Sequence, residues 1–326
     1  MSKVGVAYVN VDQLKEVVYV TADLDTLLTA LYVLADDLLP RRRRARRCPK
    51  ITDAELVCLA VAQILLDVPS ERRFLRLAMV RLGHLFPYLP KQPGYNKRMR
   101  ALAPQIVRLL NVIAFSSPSW CDNVRLLDST PVPCGQSREV VKRSEFAGHA
   151  GYGYCASHSR YFWGFRLYLL CASDGMPIAF ELAAANLPER QVAAEMLARV
   201  DLNGYTVIAD KGFAGQNFEA LMAEFGAIFR RPDRKGEEPR FGGLGAIRQW
   251  IESVFDTLKG QLSLEHHGSI TIGGLMTRIA QRLLALAAGL WHNWNTAQNV
   301  FDKRVAGLGR GVLEWPGYVN RGAVPI

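Results

Sequence analysis

Polar and apolar positions alternate with two different periods along this chain, and the change falls near residue 118. Before it the period is helical. "DLDTLLTALYVLADDLL" (23–39) repeats apolar residues at helix spacing. "TDAELVCLAVAQILL" opens on Thr52 with Glu55 three residues on, the signature of a capping box. "SERRFLRLAMVRLG" opens on Ser70 and sets Arg72, Arg73 and Arg76 toward one side of a helix. "NKRMRALAPQIVRLLNVIAF" follows a Pro-Gly break at 93 and 94, and "FSSPSW" (115–120) reads as a hinge.

Beyond the hinge the pattern is that of strands. "NVRLLDSTPVP" predicts a short strand that ends at Asp128 with prolines after it. "YFWGFRLYLLCAS" is aromatic and suits a long central strand, "SDGMP" (173–177) a turn, and "IAFELAAA" the returning strand of a hairpin. "ERQVAAEMLARV" is helical and "YTVIADKGFAG" (205–215) holds a short buried strand with Asp210 at its end. "NFEALMAEFG" is a helix, "AIFRRP" a last strand, "DRKGEEPRFGGLG" a polar loop, and "RIAQRLLALAAGLW" is apolar on nearly every side, as for a buried helix backing the sheet. The sum is an α/β arrangement with part of the sheet antiparallel.

Composition adds a core and a partner. Of the 326 residues 49% are hydrophobic, enough for a sizeable core, and the formal net charge of +10 points to a polyanion. Arg41, Arg42, Arg43, Arg44, Arg46 and Arg47 crowd into "RRRRARR", read either as a clamp on DNA phosphates or as a solvated loop, with DNA contact favoured. The six cysteines form no Cys-x-x-Cys pair, which argues against a zinc knuckle, and no apolar run reaches membrane-spanning length. No secretory pattern opens the chain, so a cytoplasmic, intracellular location with reduced thiols is expected.

An acid at a strand end serves a core poorly and a site well. Asp210 taken alone reads as a cap for the following turn. In the order of elements it reads differently. Asp128 and Asp210 end strands that a right-handed crossover can set side by side, bringing both acids to one sheet edge. In "AIRQWIESVFDTLKGQL" (246–262) Ile247, Ile251, Val254, Leu258 and Leu262 form one helical stripe, and Arg248, Glu252, Asp256 and Lys259 a neighbouring one. Glu252 could then lean over the same edge. Three carboxylates there repel one another unless a cation sits among them, and hard oxygen ligands suit Mg2+ or Mn2+. Two ions in such a site stabilise both the attacking and the leaving oxygen of a phosphodiester displacement, and Lys211 stands near to meet phosphate.

"LLDSTPVP", "YFWGFRLYLL", "VIADKGFAG" and "RQWIESVFDTLKGQL" together resemble the blocks of DDE transposases from bacterial insertion sequences, over about residues 50–295. The likeness is strongest to insertion-sequence family 982, within the broader group related to the family 4 type. Asp128 and Asp210 are 82 residues apart, and Asp210 and Glu252 are 42 apart. Arg248, Glu252 and Lys259 match the arginine, glutamate and lysine of that group's Tyr-Arg-Glu-Lys signature, while Gly245 stands where its tyrosine is expected.

The resemblance implies an RNase H-like mixed sheet with flanking helices, preceded by an all-helical N-terminal domain. It divides the chain into a basic helical domain (1–118) for DNA-end binding, dimerisation or both, a catalytic domain (119–295) and a C-terminal tail (296–326). It implies a magnesium-dependent enzyme, with manganese as a substitute and two ions during catalysis, that cuts element ends and joins them to target DNA. Asp128, Asp210 and Glu252 would be catalytic metal ligands, and Arg248 and Lys259 would clamp phosphates. The expected partners are double-stranded DNA, as terminal inverted repeats and target, and a second copy of the chain at the synapse. The setting is a bacterial nucleoid.

Other residues carry weaker expectations. Arg166 faces phosphate or makes a structural ion pair. Tyr161 and Trp163 read as core rather than base-stacking residues. Cys155 and His158 are poor metal ligands without a second pair, and His266 and His267 read as exposed. Two rival functions stay open: a nuclease of the same fold that cuts without joining, and a DNA-binding protein without chemistry.

Overall fold

A computed structural model describes residues 24–40, 49–135, 138–155, 159–238 and 244–296. The arginine run and His158 lie outside these residues, as do most of 296–326. The first helices are α1 (Leu24–Leu38), α2 (Asp53–Leu65), α3 (Glu71–Arg81) and α4 (Gln92–Phe115). The capping box forms: Thr52 Oγ1 accepts from the Glu55 N–H at 3.0 Å and the Glu55 carboxylate accepts from the Thr52 N–H at 2.6 Å. Ser70 caps α3, and Arg72, Arg73 and Arg76 are exposed along it. Pro93 and Gly94 do not break the chain before α4; they lie in its first turn, where a missing N–H costs nothing.

The sheet holds β1 (Val124–Gly135), β2 (Gly151–Cys155), β3 (Arg160–Ala172), β4 (Pro177–Ala184), β5 (Thr206–Ala209) and β6 (Ile228–Arg230). Helices α5 (Arg138–Arg143), α6 (Glu189–Leu197), α7 (Gln216–Glu224) and α8 (Gly245–Asp256) lie between and after the strands. The order is β2-β3-β1-β5-β6, with β4 also on β3. β1, β3 and β4 pair antiparallel, and β5 and β6 run parallel to β1, which is the RNase H-like arrangement. β2 and β4 divide one edge of β3: β2 takes Arg160–Gly164 and β4 takes Phe165–Cys171.

Two features differ from the sequence reading. β1 does not stop at Asp128 but runs on through Pro131 and Pro133. β5 ends opposite Leu127, so beyond that point β1 has a partner on the β3 side alone. Thr206 N–H donates to Asn123 O at 2.7 Å, so odd-numbered residues of β1 turn their backbone polar groups toward β5. Pro131 and Pro133 therefore lack only N–H groups that would have met no strand. The second feature is β2 itself, with α5 before it. In "GYGYC" the glycines are buried and the tyrosines exposed. A Cβ on Gly153 would come within 2.8 Å of Ala185 Cβ, so the close approach requires glycine.

Helix α9 (Ile272–Thr296) is buried along most of its length, as its all-round apolarity predicts. Its surroundings are chiefly α4 and α2, with β4 as its contact to the sheet. Polar ties bind these helices together: Gln281 Nε2 to Ala60 O of α2 at 2.8 Å, Arg278 to Glu71 of α3 at 2.6 Å and, between α4 and α2, Tyr95 OH to Gln63 Oε1 at 3.1 Å. Arg282 is buried with its guanidinium donating to Ser263 O at 3.0 and 3.2 Å, and burial pulls its pKa down to about 9. His267 is buried, not exposed; Pro133 O lies 3.1 Å from its Nε2 and Ser269 N–H donates to its Nδ1 at 3.1 Å. That contact fastens the end of β1 to the segment after α8.

Candidate active site

Leu127 and Ala209 are the last residue pair between β1 and β5. Asp128 and Asp210 follow them directly, so parallel pairing sets two carboxylates side by side at the point where the two strands part. Asp128 Oδ1 accepts from the N–H of Ser129 at 2.7 Å. Burial pushes the Asp128 carboxyl up to about 7; the Ser129 N–H pulls it back, Asp210 and Glu189 raise it further, and Arg248 lowers it.

The third acid arrives on α8. Ile251, Val254, Phe255 and Leu258 are buried beneath it, which fixes the helix face. Arg248 and Glu252, one turn apart, come up beside Asp210. The Arg248 guanidinium lies 3.0 Å from Asp210 Oδ1 and 3.5 Å from Glu252 Oε1, and Glu252 is more than half exposed. The helix then loosens into a π-turn, Thr257–Gln261, that carries Lys259 at a half-buried position. Lys211 is exposed in the short 3-10 turn directly after Asp210.

Asp210 and Glu252 are thus joined through a cation, and Asp128 stands next to Asp210 in register. Among the described residues no three His, Cys, Asp or Glu side chains close on one point as metal ligands would. The donor chemistry nonetheless suits a divalent ion. Asp128 is a buried acid beside Asp210 and Glu189, and among the described residues the cation acting on it is the Arg248 guanidinium, itself engaged with Asp210 and Glu252.

Glu189, Arg190 and Arg234, three further side chains in this region, escaped the sequence reading. Glu189, the first residue of α6, accepts from Ser129 Oγ, and Arg166 lies 3.7 Å from the same carboxylate. Arg166 also donates to Ser129 Oγ at 3.1 Å and to Tyr154 O at 2.8 Å, the internal tie that was one of its two expected roles. A Cβ on Gly212 would sit 3.2 Å from Glu189 Oε2 and 4.0 Å from Asp210 Oδ2, which places Glu189 beside the aspartates. An acid in the first turn of a helix is ordinary, and that hides Glu189 in the sequence. Arg190 and Arg234 both donate to Ala214 O at 3.0 Å, adding two guanidinia close beyond Lys211. Trp163 is buried as expected, whereas Tyr161 is 78% exposed.

No helix among the described residues is long and apolar enough to cross a membrane. No curated protein matches the chain. A solved structure, the cryo-EM structure of a piggyBac transposase synaptic complex with hairpin DNA, aligns over 91% of this chain and 85% of that one. Its TM-score is 0.38 at 9% identity. The family described as "Transposase DDE domain" matches residues 119–288, from the 3-10 turn before β1 into α9, a span that includes Asp128, Asp210 and Glu252. With more than half of its residues inside that match, the chain belongs to the transposase DDE domain family.

Proposed function

We propose that this protein is an insertion-sequence transposase, of the kind grouped as family 982 near the family 4 type, that cuts the ends of its element and joins them to target DNA. The observation that carries this reading is the adjacency of Asp128 and Asp210 at the parting of β1 and β5, with Arg248 linking Asp210 to Glu252. Asp128, Asp210 and Glu252 would hold magnesium, or manganese in its place. When bound, that metal supplies charge neutralisation at the phosphate and activation of the attacking oxygen.

The chain's own residues do the rest. Arg248 exchanges its carboxylate partners for a backbone phosphate, for which a guanidinium fork is well suited. Lys211, at the mouth of the site, and Lys259, about two turns beyond Glu252, position the strand on either side. Water is the nucleophile in cleavage and a freed 3′ hydroxyl in joining; one site serves both because both are in-line displacements at phosphorus. Residues 1–118 act in DNA-end binding or dimerisation, 119–295 in catalysis, and a homodimer brings two ends together at the nucleoid.

Asp210→Asn tests the assignment. With magnesium and a labelled element end, this variant should neither nick nor join, while its gel-shift affinity for the same duplex stays near that of the parent. Parent-like cutting by Asp210→Asn would remove Asp210 from the site. Supplying a pre-cut end with target DNA separates a transposase from a nuclease, since only the former yields joined product.

A further inference from the structure

The β2–β3 hairpin carries aromatic rings on its outside. Tyr152 is 58% exposed, Tyr154 47% and Tyr161 78%. Tyr154 and Tyr161 face each other across the two strands, with ring centroids 5.0 Å apart and planes tilted by 56°. Tyr152 and Tyr154 point to the same side of β2, while Gly151, Gly153 and Cys155 fill the buried side. Scattered exposed apolar residues mean little, but three adjacent tyrosines on one short hairpin form a patch.

β3 joins the hairpin to β1, and one side chain adds a further link to the candidate active site. Arg166 donates to Tyr154 O at 2.8 Å and to Ser129 Oγ at 3.1 Å, and Ser129 follows Asp128. Basic side chains lie on the neighbouring elements, together with the exposed acids Glu139, which pairs with Lys142 and Arg143, and Glu145. Arg160 is exposed at the start of β3. Lys142 and Arg143 are exposed on α5, whose Val140 lies beside Trp163, the cross-strand partner of Tyr152. Along β2 the two tyrosines are about 7 Å apart. That is two stacking steps of about 3.4 Å, enough for one base between them.

From this geometry we infer that Tyr152, Tyr154 and Tyr161 form a stacking platform for unpaired nucleotides of the DNA strand leaving the active site. The inference rests on the transposase reading and adds a binding surface to it. Tyrosine faces stack on any base, so the platform accepts unpaired DNA without reading its sequence, while Lys142, Arg143 and Arg160 meet the backbone. Paired bases present no free face, so a blunt duplex gains nothing from the hairpin.

The test uses the full chain and two duplexes of the same element end, one blunt and one with a three-nucleotide unpaired tail carrying 2-aminopurine. Binding of the tailed duplex should quench the 2-aminopurine fluorescence. Tyr161→Ala and Tyr154→Ala should each lose most of that quench and weaken tailed-duplex binding by about tenfold, with blunt-duplex binding changed less than about twofold. Tyr161→Phe, which keeps the ring, should behave as the parent. Equal affinity of the parent for both duplexes with no quench overturns the platform and leaves the transposase reading standing; failure of the parent to bind either duplex overturns both. A shift in sedimentation coefficient in Tyr161→Ala with an unchanged quench would make the hairpin a contact between copies of the chain, and would also overturn the inference.

Discussion

The Asp128 carboxyl holds its proton well past the ordinary carboxylate range, because the polar contact it gains from the Ser129 N–H is smaller than the solvation it loses. In the unfolded chain the group ionises near 3.8; in the folded, metal-free chain it does so at about 7. Between those values the folded state carries the extra proton, so stability falls as pH rises through the window and levels off above it. Asp128→Asn has no proton to lose there. Urea unfolding at pH 5 and pH 8 in the presence of EDTA should therefore show the variant gaining on the parent at the higher pH. Parallel pH profiles for the two proteins would contradict the burial described for this carboxyl. At this scale the two aspartates were legible from sequence, because each follows a short apolar run and strand order alone makes neighbours of them. Glu189 was not. It comes close only when α6 folds back over Ser129, which no local pattern records.

Elements were legible where their ends carry chemistry of their own. The boxed start of α2 is one such case. Thr52→Ala removes the acceptor for the Glu55 N–H and should cost about 1 kcal/mol of stability, read as a lowered urea midpoint with an unchanged slope; a midpoint within error of the parent would mean that the cap contributes nothing here. Elements were misread where pairing, rather than local pattern, decides the outcome. The prolines after Asp128 argued for a strand end, yet β1 continues because its β5-facing side has no partner there. The glycines of β2 concealed a strand, since their small size serves the packing of Ala185 and Phe162 and leaves no branched or aromatic side chain on the buried face. Tyr161 was expected in the core from its place in an aromatic run, but it lies where β3 reaches past β1 and pairs with β2 alone.

Across the whole molecule the excess of positive charge is the most general functional statement. On the proposed function, a formal net charge of +10, with Lys211 directly after Asp210 and Arg190 and Arg234 bonded to Ala214 O, would make counterion release the main source of DNA affinity. Affinity for an element-end duplex should drop on the order of 10³-fold between about 50 and 200 mM salt, measured by fluorescence anisotropy; a flat dependence would point away from phosphate contact. The path of the chain has a separate consequence. The seam that packs α9 on α2 and α4, with Gln281–Ala60 tying it to α2 and Arg278–Glu71 tying it to α3, joins the last described helix to some of the first. A polypeptide still on the ribosome, released only as far as β6, would present α2 and α4 without the helix that covers them. Productive folding would then wait on near-complete translation, and prematurely terminated copies would be substrates for proteolysis rather than competitors for DNA ends.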